Sequence, residues 1–295
     1  MRSWVIDNVF PEEVVGLLVG SPGVGKSSAG IKWLAEIKSG LPVFGHQSHP
    51  RPIVYVSCDR SEAEYTSHLE ALGYSPDIFH FYDQTSNKTS IDVVIRACSR
   101  KFPHCLIFID GMARLVPDCK LSDYGVVSDF LVETGRLCRE FHVTVLGCIH
   151  ASKQKDGQSY SDPRDISCGS TAWSGFSNLN IVIQRKNPSD PSDPLRIIHL
   201  LTRSRLGDVM LTYQKDPSSA GGSLIPYDDP VEADLLGLHL MDLPYDQPFP
   251  KKEMVEFAKS QSITERRVER WLERMIGDGM VEKVSRGVYR RIRPS

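Results

Sequence analysis

Residues 20–27 read Gly20-Ser-Pro-Gly-Val-Gly-Lys-Ser27, and a second serine, Ser28, follows. The stretch fits the phosphate-binding pattern G-x-x-x-x-G-K-[ST] without a mismatch. Its flanks fit as well. Val14–Val19 is an apolar run of strand length, and Ala29, Trp33, Leu34 and Ile37 recur at helical spacing up to Gly40, which suits a helix end. The residue types follow from the chemistry. Gly20, Gly23 and Gly25 let backbone N–H groups converge on phosphates with no Cβ in the way, and the helix that begins there adds the positive end of its dipole. Ser21, Pro22 and Val24 complete the loop. Lys26 is expected to reach the β- and γ-phosphates, and the Ser27 hydroxyl to take Mg2+. Residues 20–28 therefore predict a site for ATP with Mg2+. A glycine turn opening an unrelated helix is the competing reading, and it accounts for neither flank.

Further along, Cys105-Leu-Ile-Phe-Ile-Asp110 is an apolar strand ending in a carboxylate. Such an acid belongs in the Mg2+ shell at the C-terminal edge of an α/β sheet. Ile53-Val-Tyr-Val-Ser-Cys-Asp59 ends the same way, and Asp59 is either a group that orients the attacking water or a solvated strand-end acid. His150 closes the apolar run Val143–Ile149; it either senses the γ-phosphate or caps its strand.

Strand candidates are Val14–Val19, Ile53–Cys58, Ile78–Tyr82, Leu106–Ile109, Val143–Ile149, Leu179–Ile183, Ile197–Leu201 and Val209–Tyr213. Several are continuous apolar runs, as strands buried on both faces require. Helical patterns lie between them, among them Asp123–Phe141 with Ser122 or Asp123 as its cap. The expectation over residues 1–215 is an α/β domain whose mostly parallel sheet ends in antiparallel strands. Residues 216–227, rich in Pro, Gly, Ser and Asp, are expected to be a linker. Residues 228–295 read as helices Val231–Leu243, Lys251–Lys259 and Thr264–Ile276, then two short strands around Ser285-Arg286-Gly287. That order matches a winged helix-turn-helix domain.

The net charge is −2, but residues 251–295 carry twelve Lys/Arg against seven Asp/Glu, while residues 216–250 hold seven acids and no Lys or Arg. A basic module behind an acidic stretch points to a polyanionic partner. Arg266, Arg267 and Arg270 fall on one side of the third helix, which in a winged helix enters the major groove, and Arg286 lies on the wing. DNA contact competes here with a helix whose arginines pair with Glu265, Glu269 and Glu273. The seven cysteines are dispersed, with no Cys-x-x-Cys pair, which predicts free thiols in a reducing compartment and argues against zinc. No run is long enough for a membrane span, and the first residues lack a secretory signal. A cytoplasmic location is expected.

Together these pieces resemble the RecA-type core of the hexameric replicative helicases of the RepA and DnaB type, superfamily 4. The resemblance covers residues 10 to 213. Tyr55-Val-Ser-Cys-Asp59 is similar to the family strand that ends in a catalytic Glu, here shortened to Asp. Ile109-Asp-Gly-Met-Ala-Arg-Leu115 resembles the family's second nucleotide motif. Ile149-His-Ala-Ser-Lys153 resembles its His-His-x-x-Lys, with Ile149 in place of the first His. Cys168-Gly-Ser-Thr-Ala172 resembles its small-residue turn. Thr202-Arg-Ser-Arg-Leu-Gly207 resembles the Lys-x-Arg-x-Gly element that enters a neighbouring subunit's site. By residue type alone Arg203 and Arg205 read as solvated charges on an edge turn; the resemblance instead implies that Arg205 is an arginine finger and Arg203 its partner, acting in trans within a homo-oligomeric ring, expected to be a hexamer. It also implies that the loop Ala151–Cys168, with Lys153, Lys155 and Arg164, grips single-stranded DNA; its three Asp residues bring its net charge near zero, and a surface loop with no ligand is the competing reading. The short stretch ahead of Gly20 is expected to hold no primase or collar domain. The leading expectation is an ATP-dependent DNA helicase or translocase in DNA replication. A RecA-like recombination or mediator ATPase, an ATP-switched DNA-binding regulator or helicase loader, and a packaging motor remain as rivals.

Overall fold

The computed structural model describes residues 3–85, 89–151, 170–187, 190, 192–203, 209–216, 219, 221–227, 230–261, 263–277 and 279–292. The chain divides into two compact units, Met1–Pro226 and Tyr227–Ser295.

The first unit opens with a short antiparallel pair, β1 (Trp4–Ile6) and β2 (Phe10–Pro11). Strands and helices then alternate as β3 (Val15–Gly20), α1 (Lys26–Ser39), β4 (Ile53–Ser57), α2 (Glu62–Ala71), β5 (His80–Asp83), α3 (Ile91–Lys101), β6 (Leu106–Asp110), α4 (Tyr124–Glu140), β7 (Thr144–His150), α5 (Ala172–Phe176) and β8 (Leu179–Arg185). Three strands follow: β9 (Leu195–Thr202), β10 (Val209–Lys215) and β11 (Leu224–Pro226). All but β1 and β2 join one nine-stranded sheet in the order β11-β10-β9-β8-β3-β7-β6-β4-β5. From β8 to β5 the pairs are parallel, and β9, β10 and β11 extend the sheet antiparallel.

Every residue of β3, β4 and β6 is buried, which explains their unbroken apolar reading. Alternate side chains feed two cores. Leu18, Tyr55 and Phe108 pack with Leu34 of α1 and Tyr65 of α2; Leu17, Val19 and Ile107 pack with Val94 of α3 and Leu131 of α4. Asp123 caps α4 by accepting from the Val126 N–H at 3.1 Å, and Gly40 ends α1 in the left-handed region. The result is the expected mostly parallel α/β architecture with an antiparallel end.

The stretch expected to be a linker departs from that reading. Leu224 is fully buried, and Leu224–Pro226 pairs with β10 through Lys215↔Leu224 and Tyr213↔Pro226. Ahead of it the chain turns back: Asp216 N–H donates to Ser223 O at 2.8 Å and Gly221 N–H to Ala71 O at 2.9 Å. Pro, Gly, Ser and Asp serve a turn between antiparallel strands as well as they serve a linker, so composition does not separate the two. The first unit thus runs to Pro226 rather than 215.

The second unit contains α6 (Pro230–Asp242), β12 (Pro248–Pro250), α7 (Lys251–Ser260), α8 (Glu265–Gly277), β13 (Val281–Ser285) and β14 (Val288–Arg291). Its sheet has the order β12-β14-β13, antiparallel throughout. Leu240, Met254, Val268, Trp271, Leu272 and Tyr289 build its core. Gly287 takes the left-handed conformation that the β13–β14 turn requires. The strand β12 is an addition to the predicted elements; its two prolines are tolerated because it lies at the sheet edge.

Candidate active site

At the C-terminal end of β3 the chain leaves the sheet at Gly20 and enters α1 at Lys26. Gly23 and Gly25 have φ of 71° and 104°, a region that L side chains avoid, and nothing lies within 4 Å of where their Cβ atoms would sit. Conformation, not crowding, calls for glycine there. Gly25 is the N-cap of α1 and supplies no side-chain acceptor, and the first turn carries no acid. The opening N–H groups are therefore left to an anion. Lys26 Nζ donates to the Gly20 and Ser21 carbonyls at 2.9 and 3.1 Å, and burial lowers its pKa.

The parallel registers Gly20↔His150 and Ser57↔Asp110, together with the β6–β7 pairing, bring the ends of β3, β7, β6 and β4 to one edge. Ser27 Oγ donates to Asp110 Oδ2 at 3.1 Å, and the Tyr55 hydroxyl donates to the same oxygen at 2.6 Å. Burial, then the Asp110 carboxylate, push both Tyr55 and the Cys148 thiol well up, and that thiol is hydrogen-bonded to Asp110. Ser27 and Asp110 offer converging hard oxygen donors, the kind of ligand Mg2+ takes. They are the residues that would hold it, and when bound it would neutralise phosphate charge.

His150 stands beside Lys26, its Nδ1 at 3.4 Å from Nζ. Burial and the Lys26 ammonium lower its pKa, so the ring faces the ammonium as a neutral acceptor. Asp59 lies two residues past β4, where its carboxylate rests over Gly111 and Oδ1 meets Arg114 Nε at 2.5 Å. A Cβ on residue 111 would come within 2.6 Å of Asp59 Oδ2, so the glycine makes room for that acid.

A further cluster escaped the sequence reading. Arg60 Nη1 lies 2.7 Å from His68 Nδ1, His68 Nε2 lies 3.0 Å from Ser28 Oγ, and that hydroxyl donates to Gly221 O at 2.9 Å. Guanidinium can only donate, so Nδ1 accepts and Nε2–H donates to Ser28. Burial and Arg60 lower the His68 pKa, which agrees with a neutral ring. The cavity of about 350 Å3 formed here is also lined by Lys215 and Gly222. One signal was available: Ser61-x-x-Glu64 forms a capping box that starts α2 and sets His68 on it.

Arg203 lies elsewhere. Thr202 pairs with Leu179, and Arg203 N–H donates to Asn178 O, level with the start of β3. That is the sheet edge opposite Gly20, about 17 Å away for five residues of strand. Its guanidinium meets the Gly175 carbonyl. Arg205, Lys153, Lys155 and Arg164 lie outside the described residues. In the second unit, Arg266, Arg267 and Arg270 are half-buried on α8, and Arg286 is exposed in the β13–β14 turn. Glu265 and Glu269 are engaged by Lys251 of α7, at 2.8 and 2.6 Å.

Among solved structures, the ATPase domain of G40P aligns with a TM-score of 0.56 and 13% identity, over 73% of this chain and 85% of that one. A KaiC-like protein from the hyperthermophilic archaeon Pyrococcus horikoshii aligns with a TM-score of 0.52 and 15% identity, over 77% and 99%. These likenesses place the fold among the RecA-like P-loop ATPases. No curated protein sequence matches the chain. Among the described residues, no helix is long and apolar enough to cross a membrane. The family model for the AAA domain matches residues 1–156, more than half of the chain, and the chain therefore belongs to the AAA domain family and is an ATPase of the RecA-like kind.

Proposed function

We propose that the chain is an ATP-dependent DNA translocase, a helicase of the ring-forming kind, whose hydrolysis is completed between subunits. The observation that carries this reading is the placement of Arg203 at the sheet edge opposite Lys26. As an arginine finger, Arg203, the last described residue before the β9–β10 connection, has no path to its own phosphate loop. It serves a neighbour presented head to tail, and in that arrangement a ring, expected to be a hexamer, shares every site between two chains. Lys26 holds the β- and γ-phosphates, Ser27 and Asp110 hold Mg2+, Asp59 orients water and His150 reads the γ-phosphate. Lys153, Lys155 and Arg164 face single-stranded DNA. The second unit serves as a winged helix on duplex, through Arg266, Arg267, Arg270 and Arg286.

The deciding experiment mixes two inactive variants, Arg205→Ala and Asp59→Ala. Mixed oligomers should recover part of the ATP turnover, because some interfaces join an intact finger to an intact acid. Turnover that stays at the level of the separate variants would end the shared-site reading. Turnover stimulated by single-stranded DNA, together with unwinding of a forked duplex, would establish the motor.

One observation favours a second reading, an ATP-switched DNA-binding regulator. Asp59 is engaged by Arg114, and an ion-paired carboxylate is a poor water-orienting group. Nucleotide-dependent duplex binding without DNA-stimulated turnover would select it.

A further inference from the structure

Tyr55 is a buried tyrosine among aromatic rings. It lies in the middle of β4, 1% exposed, with ring centroids of Tyr65, Phe108 and Phe81 at 4.6, 5.2 and 6.3 Å. Phenylalanine would fill that space equally well, so packing does not account for the hydroxyl. The register does. Tyr55 pairs with Phe108, and Asp110 is two residues further on the same face of β6, so the Tyr55 side chain reaches along the sheet to the strand end. Its hydroxyl meets Oδ2 at 2.6 Å, a short charge-assisted bond. Tyr65 makes the contrast. It sits in the same cluster, and among the described residues its hydroxyl has no hydrogen-bond partner.

We infer that Tyr55 is a positioning residue for the metal–phosphate site: its hydroxyl locks the Asp110 carboxylate in the orientation that meets Ser27. The terminal torsion of an aspartate is broad, so rotamer preference alone does not aim its oxygens. Oδ2 receives both Tyr55 and Ser27, which fixes the carboxylate plane before a cation arrives. Partners that orient a metal ligand matter to the metal nearly as much as the ligand does. Tyr55 touches neither phosphate nor metal in this scheme. It acts through Asp110, and the inference rests on the reading of Ser27 and Asp110 as the Mg2+ residues.

The test is equilibrium binding of a fluorescent non-hydrolysable ATP analogue to the full chain, titrated with Mg2+ and repeated in EDTA. Tyr55→Phe should raise the half-saturating Mg2+ concentration about tenfold, the lower end for lost outer partners, and leave the affinity in EDTA unchanged. Tyr65→Phe, which removes a buried hydroxyl from the same cluster, should move neither. In an Asp110→Asn background, Tyr55→Phe should add nothing, since its effect passes through the carboxylate. An unshifted Mg2+ curve for Tyr55→Phe overturns the inference. So does a fall in affinity equal with and without Mg2+, or an additive shift in the Asp110→Asn background, because each marks a purely structural tyrosine. A wild-type protein whose binding ignores Mg2+ would remove the metal-site reading itself, and the inference with it.

Discussion

Two carboxylates stand at the ends of neighbouring strands, and they are held in opposite ways. Asp110 is 5% exposed and takes neutral donors, Ser27 and Tyr55, on one oxygen. Asp59, with its side chain 32% exposed, is engaged by the guanidinium of Arg114, itself 62% exposed. Hydrogen bonds from buried neutral groups orient a charge without cancelling it, which leaves Asp110 free to attract a cation. An exposed ion pair is worth little and exchanges readily, so Arg114 is a restraint that a phosphate or a partner's carboxylate can displace. The first corner is built for permanence and the second for release.

The largest effect that separates them comes from neutralising each acid. Asp110→Asn should raise the Mg2+ concentration needed for nucleotide binding well beyond the shift of Tyr55→Phe, with binding still measurable at high Mg2+, and should abolish turnover. Asp59→Asn should keep Mg2+-dependent binding yet lower turnover by about 10²-fold or more, the scale of a lost base or water-orienting group. Steady-state ATPase beside Mg2+-titrated binding distinguishes the two, and equal loss of binding in both variants would erase the contrast. Next in size, Arg114→Ala should raise basal turnover by up to about fivefold, because the restraint removed is worth roughly 0.2–1 kcal/mol. A fall instead would make Arg114 part of the working site.

The smallest effect concerns the fringe of the cavity. Burial and Arg60 depress the His68 pKa, and burial is the main cause at His80 and His150 too. A depressed histidine favours the folded state fully above its unfolded value of about 6.5, and that contribution is lost as the pH falls through the folded value. Thermal midpoints should therefore drop between about pH 7 and pH 5.5, and drop less in His68→Gln. An identical drop in the variant would show that His68 does not bear its share.

Much of this was legible in the linear chain, for a physical reason. The phosphate loop needs glycines and a lysine at set intervals, and doubly buried strands need unbroken apolar runs, so local sequence reports both. Pairs such as β1 with β2, and strands as short as β11 and β12, carry too few residues for any period to show. The contacts of Tyr55 and His68 are set by register and by the crossing of elements distant in sequence. The capping box at Ser61 announces the helix that carries His68, but no local pattern encodes the partners of either residue. Asp59 was readable as a strand-end acid, but its engagement by Arg114 depends on the turn that Gly111 permits.

The turn between β10 and β11 has a consequence for measurement. It starts from strands at one end of the sheet and hydrogen-bonds to the last turn of α2, which follows a strand near the other end, touching Ser28 on the way. The Gly221 amide is thus a built-in reporter. Its hydrogen exchange can proceed only when this clasp opens, and it should slow when nucleotide settles at Ser28. One backbone amide, followed by its uptake of deuterium in mass spectrometry, would time the opening of the pocket without an attached probe.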